Sequence, residues 1–247
     1  MKTLFSTLVV ICIGLASASG QELKKDLAPF EKIIASPKIN VVLTHGDRES
    51  IRLVYENVSA ADLNVIQNGK TLHVFLTNAR YVEKRKRIYE NNQPRKVNIY
   101  RHAQVTAYIT YRDLKRLEIR GEQEVSTDTL MAGDKFKLKA YGEANIYLAG
   151  LHTNKFKSAL YGRNVLKIHS GTTESQKFRL YGENRINTRP FNSINTSSRI
   201  YGEGKLVISA SHQFRYSAFG EPHIEVNGFP EIRRGLIIGR TRLEVKP

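Results

Sequence analysis

The sequence predicts an all-β protein, a parallel β-helix or β-solenoid with coils of about 20 residues, preceded by an N-terminal β-rich section. Three observations predict it. An aromatic-Gly motif recurs at nearly constant spacing through the second half. Apolar and polar residues alternate there with the two-residue period of a strand. No segment sustains helical periodicity over the run of about ten residues that a helix needs.

Residues 1–20 have the pattern of a signal peptide. Lys2 supplies the positive start, Leu8 to Leu15 the apolar stretch, and Ala16, Ala18 and Gly20 the small residues of a cleavage site, placed after Gly20. The apolar stretch is shorter than the roughly 20 residues that span a bilayer, so no transmembrane segment is expected after cleavage. Cys12 is preceded by Val10 and Ile11 rather than by small residues, which argues against a lipid anchor. The processed chain then has no thiol, which excludes disulfides, cysteine nucleophiles and thiolate metal sites.

Residues 21–118 form the β-rich section. Strands are expected at Lys32–Ala35, Ile39–Thr44, Ile51–Tyr55, Leu63–Gln67 and Leu72–Leu76, then at Val97–Tyr100, Val105–Tyr111 and Leu117–Ile119. His45-Gly46-Asp47 marks one turn, and Asn68-Gly69 between two apolar runs marks a hairpin. Residues 80–101 carry eight basic and two acidic side chains, and read as a solvated loop or a polyanion-binding one.

Residues 119–247 carry the repeat. Arg120-Gly121, Tyr141-Gly142, Tyr161-Gly162, Tyr181-Gly182, Tyr201-Gly202 and Phe219-Gly220 are spaced by 21, 20, 20, 20 and 18 residues. An apolar residue always stands four after the glycine: Val125, Ile146, Leu166, Ile186, Leu206 and Ile224. Phe136, Phe156, Phe178 and Phe214 precede the motif. A unit this short cannot bury its apolar face alone, so successive coils must stack with their strands parallel. Phe136, Leu138 and Ala140 then point inward, while Lys135, Lys137 and Lys139 point outward. Glycine belongs at a corner, the tyrosines form a column along one edge, and the chirality of parallel crossovers favours a right-handed coil.

The pattern FEKIIASPKINVVLTHGDRESIRLVYE, then LNVIQNGKTLHVFL, followed by Gly-centred coils, resembles the DUF2807 family, a "putative auto-transporter adhesin, head GIN domain" found mostly in Bacteroidetes. The resemblance spans roughly residues 29–230 and implies an exported, largely β-helical protein. This chain departs from the family pattern in placing tyrosine before the glycine and in the length and basic character of 80–101.

Without Lys2, 38 basic and 23 acidic residues leave a net charge of +15, which reads either as simple colloidal solubility or as attraction to anionic partners. Behind a signal peptide these are anionic glycans, lipopolysaccharide or other cell-surface polymers rather than nucleic acid. The candidate ligand-binding set is the column Tyr141, Tyr161, Tyr181 and Tyr201 with the outward Lys137, Lys157, Arg179 and Arg199. The competing reading of that column is internal stacking that stiffens the corner. No aspartate occurs from Lys135 to Pro247, so the acidic clusters of pectin-active β-helices are missing from the repeats. Glu122, Glu143, Glu183, Glu203 and Glu221 would have to substitute, and their simpler role is to offset neighbouring cations. The seven histidines have no ligand spacing and read as surface residues. No cofactor and no metal site is expected. The function that follows is an exported, non-enzymatic, adhesin-like or envelope-scaffold protein of the periplasm, outer surface or medium. The alternative is a glycan-active β-helix lyase or hydrolase that uses glutamates.

Overall fold

The computed structural model describes residues 21–247; the leader expected at 1–20 lies outside them. The first strands are β1 (Gln21–Asp26), β2 (Lys32–Ala35), β3 (Asn40–His45), β4 (Ser50–Glu56), β5 (Leu63–Asn68) and β6 (Thr71–Leu76). A hairpin, β7 (Arg85–Glu90) and β8 (Gln93–Asn98), precedes β9 (Gln104–Tyr111). The repeats then supply β10 (Arg116–Gly121), β11 (Glu124–Thr127), β12 (Leu130–Gly142), β13 (Asn145–Leu148), β14 (Gly150–Gly162) and β15 (Val165–Ile168). The last six are β16 (Gly171–Tyr181), β17 (Asn184–Tyr201), β18 (Gly204–Phe219), β19 (His223–Asn227), β20 (Glu231–Ile238) and β21 (Arg242–Lys246).

These strands stack as a parallel β-solenoid. Along its long face the order is β6, β2, β10, β12, β14, β16, β17, β18, β20. A second face runs β9, β3, β11, β13, β15, β17, β18, β19, β21. A third, shorter side is made by the first residues of β12, β14 and β16, and the ladder skips Asp134 and Asn154 where the chain turns from it to the long face.

The family-like opening is itself a coil of the solenoid. β2 and β3 sit between the coil of β6 and β9 and that of β10 and β11, so spatial order departs from chain order at this end. The end is wrapped by antiparallel strands: β5 on β6, β4 on β9 and β1 on β4. Asn68-Gly69 turns the β5–β6 hairpin as expected, with Gly69 at φ 53°. The turn at His45-Gly46-Asp47 makes no hairpin, because β9 inserts between β3 and β4.

The core follows from the repeat. The residues four after each glycine are all at most 2% exposed and pair in one line across the second face. Val41 and Ala107 extend that line into the N-terminal coils. The phenylalanines do not make an equally simple column. Phe136 and Phe156 stack at 6.2 Å, but Phe178 lies opposite Ser158, and Gln176 occupies the next rung above Phe156. Phe178 stands only four residues before its glycine, whereas Phe136, Phe156 and Phe214 stand six before theirs. Phe191, from the third side, fills the interior instead, edge-on to Phe156 at 5.8 Å. Gln176 is buried with its Nε2 2.9 Å from both Ser193 Oγ and Thr196 Oγ1, which satisfies its amide N–H groups where water is excluded.

Residues 80–101 are more ordered than a loop. β7 and β8 form a separate two-stranded antiparallel sheet closed by Asn91-Asn92, both with positive φ as a tight hairpin turn requires. The strand expected at Val97–Tyr100 instead ends at Asn98, and Tyr100 tucks back so that its hydroxyl donates to the Thr77 carbonyl at 2.7 Å.

Candidate functional site

Every coil delivers its long strand to one face, so outward side chains there line up in rows. Beside the corner, Tyr141, Tyr161, Tyr181, Tyr201 and Phe219 occupy one register line. Their rings stack with centroids 5.0, 4.6, 4.9 and 4.7 Å apart and planes within 9° of parallel. The glycine after each ring permits this. Gly162 has φ 108°, and a Cβ on it would run into the Gly142 carbonyl oxygen, so only glycine lets the corners nest at strand spacing. The inner ring faces are therefore covered by their neighbours. Tyr161, 36% exposed, presents its edge and hydroxyl rather than an open face to a ligand, whereas Tyr141, 37% exposed, ends the row with a stacked ring on one face only.

The next two rows are basic. Lys32, Arg116, Lys137, Lys157, Lys177, Ser197, Arg215 and Arg233 form one, and Glu118, Lys139, Ala159, Arg179, Arg199 and Ser217 the other. The structure thus brings all eight candidate residues onto one face, as a tyrosine edge flanked by cations. Carboxylates of the described residues pair with the cations only at the two ends of these rows, Glu118 with Lys32 and Glu231 with Arg233, while Asp134 holds Lys135 and Glu143 holds Arg163. Among the described residues, Lys137, Lys139, Lys157, Lys177, Arg179, Arg199 and Arg215 form no ion pair. The Lys177 ammonium is pushed below the usual lysine range by partial burial and by the Arg179, Arg199 and Lys157 charges around it.

At the N-terminal end of this face lies a cleft of about 830 Å³ between the β7–β8 hairpin and the first coils, lined in part by Tyr81, Arg85, Asn98, Arg120 and Tyr141. Arg120 leaves the tyrosine row, lies 4.7 Å from the Tyr81 ring and donates to Glu118. Burial raises the pKa of the Glu118 carboxyl, but Arg120 and Lys32 outweigh it and hold the group below the usual carboxylate range. The glutamates that follow the glycines, Glu122, Glu143, Glu183, Glu203 and Glu221, stand exposed on the outer ridge.

Two histidine environments depart from the surface reading. His73 is buried, with Nε2 3.0 Å from Ser36 Oγ. Ser36 donates its hydroxyl proton to the Arg80 carbonyl at 2.7 Å, so it accepts from His73 and is not activated by it. This Ser–His contact is a closed structural link rather than a nucleophile and base. The sequence hid it because Ser36 and His73 meet only through the β2–β6 pairing. His223, Glu225 and Glu244 also converge, with ligand atoms within 4.8 Å of one another. Lys205 and Lys246 already pair with Glu225, and Arg242 with Glu244, which supplies the positive charge that a metal would bring.

No helix among the described residues is long and apolar enough to cross a membrane. No curated protein matches the sequence. Among solved structures, a "putative adhesin" from Bacteroides fragilis is similar with a TM-score of 0.77 at 16% identity, covering 93% of this chain and 98% of that one. Another from Parabacteroides merdae gives 0.68 at 14% identity, over 92% and 96%. A "Putative lipid binding protein" from Parabacteroides distasonis gives 0.60 at 12%, over 93% and 98%. At these identities the likeness establishes the fold. The family model described as "Putative auto-transporter adhesin, head GIN domain" matches residues 29–230, most of the chain including the N-terminal coils, and the protein belongs to that family, DUF2807.

Proposed function

We propose that this is an exported, non-enzymatic, adhesin-like protein that binds anionic glycans along the basic long face of its solenoid. The observation that carries the reading is the run of seven cations in two adjoining rows, Lys137, Lys139, Lys157, Lys177, Arg179, Arg199 and Arg215, that form no ion pair among the described residues. Parallel stacking sets the strands that carry these side chains about 4.8 Å apart, so like charges crowd along the face, and a bound anion would relieve their repulsion. Elsewhere on the same solenoid cations are matched, as Lys205 and Lys246 are by Glu225. The tyrosine hydroxyls along the adjoining edge add hydrogen-bond donors for sugar oxygens, and the adhesin-like family fits an exported binding protein. The ridge glutamates serve in this reading as charge balance, as Glu143 does for Arg163.

Binding of heparin, a sulfated and carboxylated polysaccharide, measured across a salt series tests it. Affinity is expected to fall steeply with salt, and Lys137→Gln/Lys157→Gln to weaken binding about tenfold while flattening the salt slope, since fewer counterions are displaced. Absence of salt-sensitive binding to heparin, hyaluronan or lipopolysaccharide overturns the reading.

A further inference from the structure

We propose that Ser197, Arg199, Arg215 and Ser217 form a cradle for a single tetrahedral oxyanion, the sulfate or phosphate ester of a polymer lying on the basic face. This deepens the glycan-binding reading and rests on it.

The two basic rows are interrupted by small residues at two adjoining rungs. Ser197 pairs with Arg215 across the strands, and Arg199 pairs with Ser217. Neighbouring parallel strands lie about 4.8 Å apart and alternate residues about 6.6 Å apart along each strand, so these four positions make one rectangular cell. The arginines occupy one diagonal and the serines the other. Lys177 borders the cell, one rung below Ser197. Because serine is short, the surface dips: a cavity of about 240 Å³ lies here, lined by Lys177, Phe178, Ser197, Ser198, Arg199, Arg215 and Ser217, none of them acidic. At about 30 Å³ per water that is room for an oxyanion with part of its hydration shell.

The chemistry of the cell suits a tetrahedral ester better than a carboxylate. Two guanidinium groups from opposite corners can each present paired N–H donors to different oxygens, and two hydroxyls complete the donor set from the remaining corners. A planar carboxylate offers about four acceptor sites, all in one plane, to these six donors and cannot meet all four corners at once. Among the described residues neither the Ser197 nor the Ser217 hydroxyl makes a hydrogen bond, and neither arginine has an ion-pair partner. Gly235 keeps the far side open. It is outside the left-handed region, so its conformation does not call for glycine, yet a Cβ there would run into Ser217 Oγ. The lowered pKa of Lys177 is consistent with this, since its ammonium is partly buried among like charges that an anion would offset.

The test compares two carboxylates placed on the same face. Ser197→Glu puts one inside the cell, whereas Ala159→Glu puts one in the same rows but outside it. Titration of the folded protein with inorganic sulfate and inorganic phosphate, read at the arginine side-chain NMR signals against chloride at equal ionic strength, is expected to give a saturable shift. Ala159→Glu should preserve it, and Ser197→Glu should weaken it about tenfold or more. Ser197→Ala/Ser217→Ala, which keeps every charge, should weaken it to a smaller extent. Heparin, polyphosphate and the carboxylate-only hyaluronan then distinguish the sources, with the first or second binding more tightly than the third. Equal losses in the two glutamate variants, or equal binding of heparin and hyaluronan, overturn the cradle while leaving the basic-face reading intact. Failure of all three polymers overturns the face reading, and a sulfate effect no greater than that of chloride overturns the cradle alone.

Discussion

His73 is held neutral by its surroundings. Burial pushes its pKa down to about 4, and the Arg80, Arg120 and Lys32 charges act in the same direction against the weaker opposing pull of Glu118. In the unfolded chain the imidazole titrates near 6.5. As pH falls from about 6.5 to about 4 the unfolded state takes up a proton that the folded state refuses, so stability is lost across that window, by up to about 3 kcal/mol. His73→Gln should remove this part of the slope; thermal melts of both proteins between those pH values measure it. The tyrosine row gives a second prediction at this scale. Each inner ring packs against two others, and stacked aromatic pairs contribute about 0.5–1.5 kcal/mol each beyond their area. Tyr161→Ala/Tyr181→Ala breaks three contacts and should lower stability by about 2–5 kcal/mol, whereas the corresponding phenylalanine pair should melt near the wild type. Heparin affinity measured on the phenylalanine pair then isolates what the hydroxyls contribute to binding.

Among the elements, the β7–β8 hairpin stands apart from the rest. Among the described residues its strands pair only with each other, and they are exposed or half-buried. Isolated hairpins are marginal in water, so it draws little stability from its own pairing and lends little to the solenoid. Replacing Arg85–Asn98 with a short Gly-containing turn should therefore leave the solenoid's melting temperature within a few degrees. The anchor at Tyr100 remains in such a variant, because its hydroxyl holds the Thr77 carbonyl outside the hairpin. The sequence did not reveal this element: its strands are charged on both faces, so the apolar alternation that announces a half-buried strand is absent. β1 (QELKKD) escaped for the same reason, since it is an antiparallel edge strand with little to bury. By contrast, Val105–Tyr111 and Leu72–Leu76 were legible because they bury one face or both.

The whole molecule is asymmetric along its axis. Antiparallel strands wrap the N-terminal end, whereas among the described residues the last coil, β20 and β21, pairs on one side only and leaves Leu236, Ile238 and Val245 exposed. In a stacked repeat each coil is stabilised chiefly by its neighbours, so one missing neighbour makes a terminal coil the first to open. Hydrogen exchange should accordingly find the amides of β20 and β21 less protected than those of β14 and β16, whose long strands have partners on both sides. Uniform protection along the axis would instead indicate that the solenoid opens as one cooperative unit.

What the sequence determined by itself was the repeating unit: the glycine corners, the inward residues four positions later, and the outward run of lysine, arginine and tyrosine. These are local, because steric freedom at a corner and alternation along a strand are written into a few adjacent residues. What only the tertiary structure decided was register and order. The β2–β3 coil lies between two coils formed by later residues, Phe178 falls opposite Ser158, Ser36 meets His73, and Ser197 and Ser217 come to share a cell with two arginines. Each of these depends on which distant strands pair, and pairing is selected by the fit of many buried side chains at once rather than by any one segment.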